Sequence, residues 1–598
     1  MLLTPLDWII VATSIVVSFI PALWLARRAG SSTAEFFTSG QAAPWWLVGV
    51  SLVATTFSTD TPNLVTNLVR EGGVAANWAW WAFLLTGMTT VFFYARLWRR
   101  LGVLTDLEFY EMRYSGRAAK WVRGFRAIYL GLLFNCVIMA TVNLAAAKIA
   151  NVLLGWPMGQ TLLVCAVINV AFAATSGLWG VMVTDMIQFG IAMTGSFAAA
   201  YYALQQPEVG GLDGLMRQIS PQTLRLLPDP SDWATFLTIL VIPLTVQWWS
   251  VWYPGAEPGG GSYVAQRMLA SKSEKDAVWG TLLFNAAHYA LRPWPWIIVA
   301  LASMVVYPTL DDIGRALPHV DPALIGHDMA YPAMLRFLPP GLMGLMIAGL
   351  LAAYVSTIST HLNWGTSYVV HDLYRRFLKP GETERHYVFV GRLVTAALMV
   401  VAGLLTFVLE TAQTSFNLLL SVGAGTGLLY LLRWFWWRIN AWSEIAAMAS
   451  SFVVAVAFFF AGRQGLEIPA HVSLLVSVAI TTVVWLAVTW LTPATDQSVL
   501  VAFYRRVRPA GPGWAPMVRV AGRLAAADSL MAPTLASLFG CAAIYGALFA
   551  TGACLYGQPG TAMIYGAVSL VGAIGVARLL PRVLAEPEDK FGPAAGRP

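Results

Sequence analysis

Apolar runs of roughly 17 to 25 residues, the length a helix needs to cross a bilayer, recur from one end of the chain to the other. The pattern predicts spanning helices over 7–26, 43–69, 78–97, 123–150, 158–176, 180–203, 234–253, 278–306, 340–370, 387–410, 414–433, 440–462, 469–491, 532–556 and 561–581, about 15 in all. Some of these runs are long enough to demand tilt or a break. Two of them turn polar part-way, and those two carry the argument.

The first is PWWLVGVSLVATTFSTDTPNLVTNLVREGG, 44–73, which opens apolar and then sets Thr55, Thr56, Ser58, Thr59, Asp60, Thr61, Pro62 and Asn63 near mid-membrane. Proline removes a backbone donor and clashes with the preceding turn, and small polar residues compete for backbone bonds. The segment therefore predicts unwinding near Phe57 to Pro62. Unwound backbone at that depth is tolerated where it is buried or lines a cavity, and its carbonyls suit a small cation. The second is GLLAAYVSTISTHLNW, 349–364, where Ser356, Ser359 and Thr360 share a helix face one turn after Ala353, with Thr357 at the flank. Hydroxyls are neutral, hard oxygen ligands that favour an alkali cation over soft metals. Each segment alone also fits a plain packing helix, kinked by proline or with hydroxyls bonded to their own turn. The pair points to an ion.

Composition fixes the solvent. With 58% hydrophobic and 11% charged residues among 598, and a mean hydropathy of +0.65, the chain has too little polar surface for a soluble globule and reads as an all-α polytopic membrane protein. The four cysteines, Cys136, Cys165, Cys541 and Cys554, lie in apolar runs without C-x-x-C spacing and imply no disulfide frame or metal cluster. Asp7 before the first apolar run and Arg27-Arg28 behind it reverse the charge order of a cleavable signal, so that run is expected to be a spanning helix.

Basic residues fall on alternate connections: Arg27-Arg28, Arg96 through Arg126, Arg267 with Lys272 and Lys275, Arg375 through Arg385, Arg433 with Arg438, and Arg505 through Arg523. The positive-inside rule then places the N-terminus outside and the C-terminus in the cytoplasm of a multi-pass protein of the cell's inner or plasma membrane. The net charge of +7 is spread over many short loops, which argues against a nucleic-acid partner. The longest loop, about 492–531, is a basic linker, so function is expected within the bilayer. Seven scattered histidines form no metal-ligand constellation, which disfavours a membrane-embedded enzyme. A solute sensor would need an output domain beyond the short tail after Pro581.

Four stretches, two of them overlapping the segments above, carry a family likeness: FFTSGQAAPWWLVGVSLVATTFS (36–58), TSGLWGVMVTDMIQFG (175–190), YVAQRMLASKSEKDAVWG (263–280) and AGLLAAYVSTISTHLN (348–363). In this order they resemble the sodium/solute symporters, which include sodium-coupled sugar, proline, pantothenate, iodide and sialic-acid transporters, over roughly residues 7–460. The resemblance implies a five-plus-five inverted-repeat transporter fold: an extra N-terminal helix in 1–35, a first repeat in 36–205, a second in 206–440, and accessory C-terminal helices in 441–598. It implies sodium as the co-transported ion, held by the carbonyls of Ala54, Phe57 and Ala353 and the hydroxyls of Ser356 and Thr357. A second sodium is implied at Asp185, Ser356, Ser359 and Thr360, although Asp185 alone also reads as a helix cap.

The implied function is symport of a small polar solute, sugar-like or carboxylate-bearing, by alternating access. Amide and acid candidates for the solute are Asp60, Asn63, Asn135, Gln247, Gln413 and Asn417. Aromatic candidates are Trp78, Trp80, Trp248, Trp252 and Tyr253, and basic ones His288 and Arg292. Asn135 falls on an asparagine that contacts sugar in family members, or bonds a neighbouring helix. Ala79 stands near where those carriers have a glutamate, which weakens a galactose-like reading. Arg292 is either deep and paired, favouring a carboxylate solute, or snorkels to the interface. Gly259, Gly260 and Gly261 suggest a mobile hinge or a left-handed turn.

Overall fold

The computed structural model describes residues 3–250, 257–320, 322, 325–409, 423, 425–466, 468–522 and 530–585. Among the described residues the architecture is helical, joined by one short bridge between Ala43 and Ser271. In chain order the principal helices are α1 (Pro5–Ala29), α2 (Trp45–Thr55), α3 (Asp60–Gly72), α4 (78–101, in short pieces), α5 (Gly116–Leu154), α6 (Met158–Thr175) and α7 (Gly177–Leu204). There follow α8 (Trp233–Thr245), α9 (Ser262–Ala270), α10 (Glu274–Val306), α11 (Leu342–Leu378), α12 (Glu384–Thr406), α13 (Ala441–Gly462), α14 (His471–Leu491), α15 (Met531–Leu555) and α16 (Pro559–Val583).

Eleven of these, rather than about 15, are long and apolar enough to cross a membrane among the described residues. The difference lies in breaks. The expected span 43–69 is two helices, α2 and α3. The span 78–97 falls into Trp78–Trp81, Leu84–Thr89, a wide turn over Thr90–Tyr94, and Ala95–Leu101. The span 234–253 stops at Thr245 before a tight turn at Gln247–Trp249. Most of 414–433 lies outside the described residues.

Small residues set the helix crossings. A Cβ on Gly49 of α2 would lie 2.8 Å from the Gly280 carbonyl oxygen of α10, and one on Gly280 would lie 2.9 Å from the Trp45 carbonyl oxygen. Only hydrogens at both positions let the two backbones touch, which is how membrane helices gain dispersion contact without a hydrophobic drive. The same pair is tied at its start, where Asp276 Oδ1 accepts from the Trp45 N–H at 3.0 Å. The entry to α2 is also bonded to the exit of α9: Ala43 N–H donates to the Ala270 carbonyl at 3.0 Å, and Lys272 N–H to the Ala43 carbonyl at 2.8 Å.

Between α6 and α7, Gly177 has φ +53° and ψ −172°, a conformation that a Cβ disfavours; this turn separates the two spans expected from sequence. α7 packs on α1, where Thr184 Oγ1 donates to the Ser18 carbonyl at 3.0 Å, and on α11, where Gly349 abuts Ala192. At the start of α11, Asp7 Oδ1 accepts from the Gly341 and Gly344 N–H groups, both at 2.7 Å. The other carboxylate oxygen of Asp7 accepts from Thr4 within its own helix. One buried carboxylate thus caps two helices.

Gly280→Leu is expected to force α2 and α10 apart and to cost about 1–3 kcal/mol, the usual penalty of overpacking. A thermal-unfolding series in detergent checks this: Gly280→Leu should melt well below Gly280→Ala, and Gly280→Ala below the parent.

Candidate ion and solute site

The helix break is where the sequence pattern sets it, although its bounds differ. Backbone leaves the helix after Thr55 and resumes at Asp60. Pro62 is therefore not in the unwound stretch but in the first turn of α3, where its missing N–H would have had no intrahelical partner anyway. Ala54 and Phe57 are buried at the break.

A broken helix deep in the protein releases carbonyls that something must satisfy. Phe57 N–H turns back to the Ala54 carbonyl at 3.0 Å instead of reaching Val53. The Val53 carbonyl is taken by Arg292 Nη1 at 3.0 Å, and the same nitrogen donates to Thr56 Oγ1 at 3.1 Å. The Thr55 carbonyl is taken by Thr357 Oγ1 at 2.8 Å. Thr59 Oγ1 donates to the Val142 carbonyl of α5 at 3.2 Å. Helices α10 and α11 thus each contribute one side chain to the gap in α2–α3, and α5 contributes one backbone carbonyl.

Ala353, Ser356 and Thr357 lie buried on α11, and Thr357 reaches the edge of that gap. Ser356 Oγ donates to Asp185 Oδ1 at 2.6 Å. With their protons turned toward the Asp185 carboxylate and the Thr55 carbonyl, the hydroxyls of Ser356 and Thr357 keep lone pairs for a cation. Asp185 is not a helix cap: it sits within α7 and also accepts from Ser51 Oγ of α2 at 2.5 Å. Of the other two residues expected around it, Ser359 points to Asn169 Oδ1 at 3.4 Å. Thr360 Oγ1 accepts from Arg267 Nη2 at 2.6 Å and lies 3.1 Å from Thr55 Oγ1.

The solute candidates divide. Arg292 is fully buried, which decides against snorkelling, and its Nη2 lies 2.6 Å from His288 Nδ1. Asp60 Oδ1 and Asn63 Oδ1, one turn apart on α3, are buried without a hydrogen-bond partner among the described residues, as are Thr66 Oγ1 and Asn67 Nδ2. Asn135 instead bonds α11, its Nδ2 donating to the His361 carbonyl at 2.8 Å while its Oδ1 lies 2.6 Å from His361 Nδ1. Trp78 is turned to a loop and to α15: its Nε1 donates to the Leu226 carbonyl at 2.9 Å, and its ring packs on Tyr545 and Phe549. Gln247 Nε2 donates to the Ala79 carbonyl at 2.9 Å. The Trp248 carbonyl accepts from Thr86 Oγ1. Trp80 lies against His288 and Tyr289. Trp252, Tyr253, Gln413 and Asn417 lie outside the described residues. A cavity of about 50 Å³ opens among Thr56, Thr86, Tyr263, Asn285, His288 and Tyr289, room for a water or two.

Several side chains of the site were misread or missed in the sequence. Arg267, Arg126 and Arg433 looked like loop bases; all three are buried. Arg126 pairs with Glu257, which Arg433 also approaches at 3.8 Å. The glycine turn between Glu257 and Ser262 is left-handed at Gly259 (φ +82°) and Gly260 (φ +81°), and its ends are held by Trp98 Nε1 on the Gly259 carbonyl at 2.7 Å and by Asp106 Oδ2 on the Ser262 N–H at 2.9 Å. Gln266 bridges to Asn363 of α11 at 2.9 Å. At the other end of the bundle, Arg70 donates to the Ser303 and Tyr307 carbonyls, and Lys148 meets Asp328 at 3.2 Å.

The profile of the sodium:solute symporter family matches residues 36–453. The chain belongs to that family. The symporter is 25% identical over 451 residues to the sodium/glucose cotransporter of Vibrio parahaemolyticus, covering 73% of this chain and 81% of that one. It is 23% identical over 440 residues to sodium/glucose cotransporter 2 of Rattus norvegicus, covering 68% and 64%. Among solved structures it is similar to a substrate-bound, outward-open sodium-coupled sialic acid symporter, with a TM-score of 0.65 at 18% identity over 82% of this chain and 99% of the other. A closed nucleobase-cation-symport-1 family transporter gives a TM-score of 0.50 at 14% identity over 80% and 98%. These likenesses show the inverted-repeat transporter fold; family membership makes the symporter a multi-pass membrane transporter, not an enzyme, with sodium as its co-transported ion.

Arg292→Met strips the Val53 carbonyl and Thr56 of their donor and should loosen the gap in α2–α3. Hydrogen exchange at the amides of 56–59 is expected to rise at least about tenfold, the equivalent of roughly 1.4 kcal/mol. Arg292→Lys should recover part of the protection.

Proposed function

We propose that the protein imports a small, hydroxyl-rich, sugar-like solute together with sodium by alternating access. The observation that carries this reading is the four-residue break in buried backbone set against Ser356 and Thr357, with the Thr357–Thr55 bond at 2.8 Å bringing the two oxygen sources within ligand spacing. The primary ion would be held by the carbonyls of Ala54, Phe57 and Ala353 and the hydroxyls of Ser356 and Thr357. Sodium entering down its gradient contributes about 2.3 kcal/mol per charge per 100 mV, besides its concentration term. It would bind α2 to α11 and so prepare the solute site beside the break.

The solute class follows from which polar atoms are already engaged. Both terminal nitrogens of Arg292 are held by protein acceptors, and only its Nε is without one among the described residues, so a carboxylate would not find the two-nitrogen fork that Arg uses for such groups. The buried atoms without partners at the head of α3 include the acceptors Asp60 Oδ1 and Asn63 Oδ1, which a hydroxyl-donating solute would satisfy. The names of the cotransporter relatives agree. A carboxylate-bearing solute is the second reading, and it would require Arg292 to leave the break.

The basic connections would face the cytoplasm, with the N-terminus outside. The two repeats would run over 36–205 and 206–440, and 441–598 would be accessory. Alternation would open and close the contacts at the two ends, the Arg126–Glu257 pair and glycine turn on one side and Lys148–Asp328 on the other.

Uptake into proteoliposomes, with an inward sodium, potassium or proton gradient and a panel of sugars, amino acids, carboxylates and nucleosides, tests this. Sodium-driven uptake of a neutral polyhydroxylated solute is expected; sodium-driven uptake confined to carboxylates overturns the solute class. In the same assay Thr357→Ala and Ser356→Ala should each raise the sodium half-saturation about tenfold or more, a loss of roughly 1.4 kcal/mol, while Thr357→Ser stays close to the parent. Unchanged half-saturation in both alanine variants removes the site assignment.

A further inference from the structure

Arg267 is fully buried and stands among the groups that a second sodium would need. Its Nη2 donates to Thr360 Oγ1 at 2.6 Å, its Nη1 to Gln266 Oε1 at 2.9 Å, and its Nε approaches Ser51 Oγ at 3.4 Å. That same Ser51 hydroxyl donates to Asp185 Oδ2 at 2.5 Å. Carboxylate and guanidinium thus meet through one hydroxyl, with Arg267 Nε on one side of Ser51 Oγ and Asp185 Oδ2 on the other. Asp185 therefore has a cation of the protein's own within its polar network, and of the three hydroxyls expected around a second ion, Thr360 is held by that cation and Ser359 is turned toward Asn169.

We propose that Arg267 is the resident counter-cation of Asp185, so that this transporter moves one sodium per solute rather than two. The inference rests on the sodium-symport reading above and goes further in fixing its stoichiometry. Charge decides it. Asp185 and Arg267 together are neutral, so a second sodium beside them would add another uncompensated positive charge next to the one already held by the neutral oxygens of the primary site, which costs several kcal/mol in the membrane interior. The guanidinium is tethered to α9 and held in a planar fork that a free ion must displace bond by bond.

Its position also makes Arg267 a positioning residue for the primary ion. Thr360 is 3.1 Å from Thr55 Oγ1, and the Thr55 carbonyl is the one that Thr357 holds. The chain Arg267–Thr360–Thr55–Thr357 runs from α9 through α11 to the helix break. Withdrawal of α9 from α11 would thus disturb the primary oxygens and leave Asp185 exposed to whatever cation leaves them.

The test is the ratio of radiolabelled sodium to solute entering proteoliposomes, together with the sodium Hill coefficient, which is bounded by the number of coupled sites. For the parent protein a flux ratio and coefficient near one are expected, and values near two overturn the proposal. Arg267→Met frees Asp185 and should raise both toward two; Arg267→Met with Asp185→Asn should return them to one, and Arg267→Lys should keep them near one. Asp185→Asn alone should leave the coefficient at one, whereas a fall on that substitution would show sodium there and sink the idea. If Arg267→Met does not fold, the parent flux ratio and Asp185→Asn still decide. Uptake without any sodium dependence would defeat the symport reading itself, a result distinct from a ratio of two.

Discussion

A gap in a largely buried helix is the constraint around which the rest of this protein is arranged. Four residues, 56–59, leave the hydrogen-bond ladder of α2–α3. In a medium where each unsatisfied backbone group costs several kcal/mol, the gap persists because side chains from elsewhere replace the lost bonds. Arg292 comes from α10, Thr357 from α11, and Thr59 reaches out to α5. Every helix that supplies a substitute bond is thereby fixed in height and rotation against the gap. Removing any of them exposes a carbonyl, and moving any of them changes the number of oxygens available to an ion.

This explains why contacts around the gap are short and the helices near it approach so closely. The Gly49–Gly280 crossing puts α10 against α2 with nothing between the backbones, and from about three turns further along α10 Arg292 reaches the Val53 carbonyl. The Ala43–Ser271 bridge fixes the start of α2 to the end of α9, so the α9 side chains Gln266 and Arg267 are held at the same level as Thr360 and Asn363. Local geometry at one end of the broken helix and side-chain chemistry at its middle are mechanically one unit.

Much of this was legible in the sequence because it depends on local chemistry. The cluster of Thr, Ser and Pro after an apolar run marks a broken helix wherever it occurs, and the Ser-x-x-Ser-Thr row marks a polar helix face. What could not be read was depth and partner. Arg267, Arg126 and Arg433 contribute to the tally of basic loops as any surface base does, and only the fold shows that each is buried against carboxylates, hydroxyls or aromatic rings. Asn135 is chemically suited to a sugar hydroxyl, yet His361, 226 residues away, uses both ends of its amide. The 78–97 run has the apolarity of a span, but hydropathy carries no record of the wide turn at Thr90–Tyr94 that interrupts it.

The double cap at Asp7 has a consequence for how the chain is made. Its carboxylate waits for the N–H groups of Gly341 and Gly344, 334 and 337 residues later. At a synthesis rate of about 5–20 residues per second, the first helix must spend some tens of seconds beside the translocation machinery or in lipid before its partner exists. Throughout that interval the Thr4 side chain and N–H are what satisfy the carboxylate from within the first helix, and the flank of α1 destined for α11 stays open. Gly344, where a Cβ would lie 2.5 Å from Asp7 Cα, then lets the late-arriving helix slide in against the early one without a side chain in the way. The contact of the N-terminal helix with α11 is thus a late event in biogenesis even though both its own synthesis and its partner α7 come early.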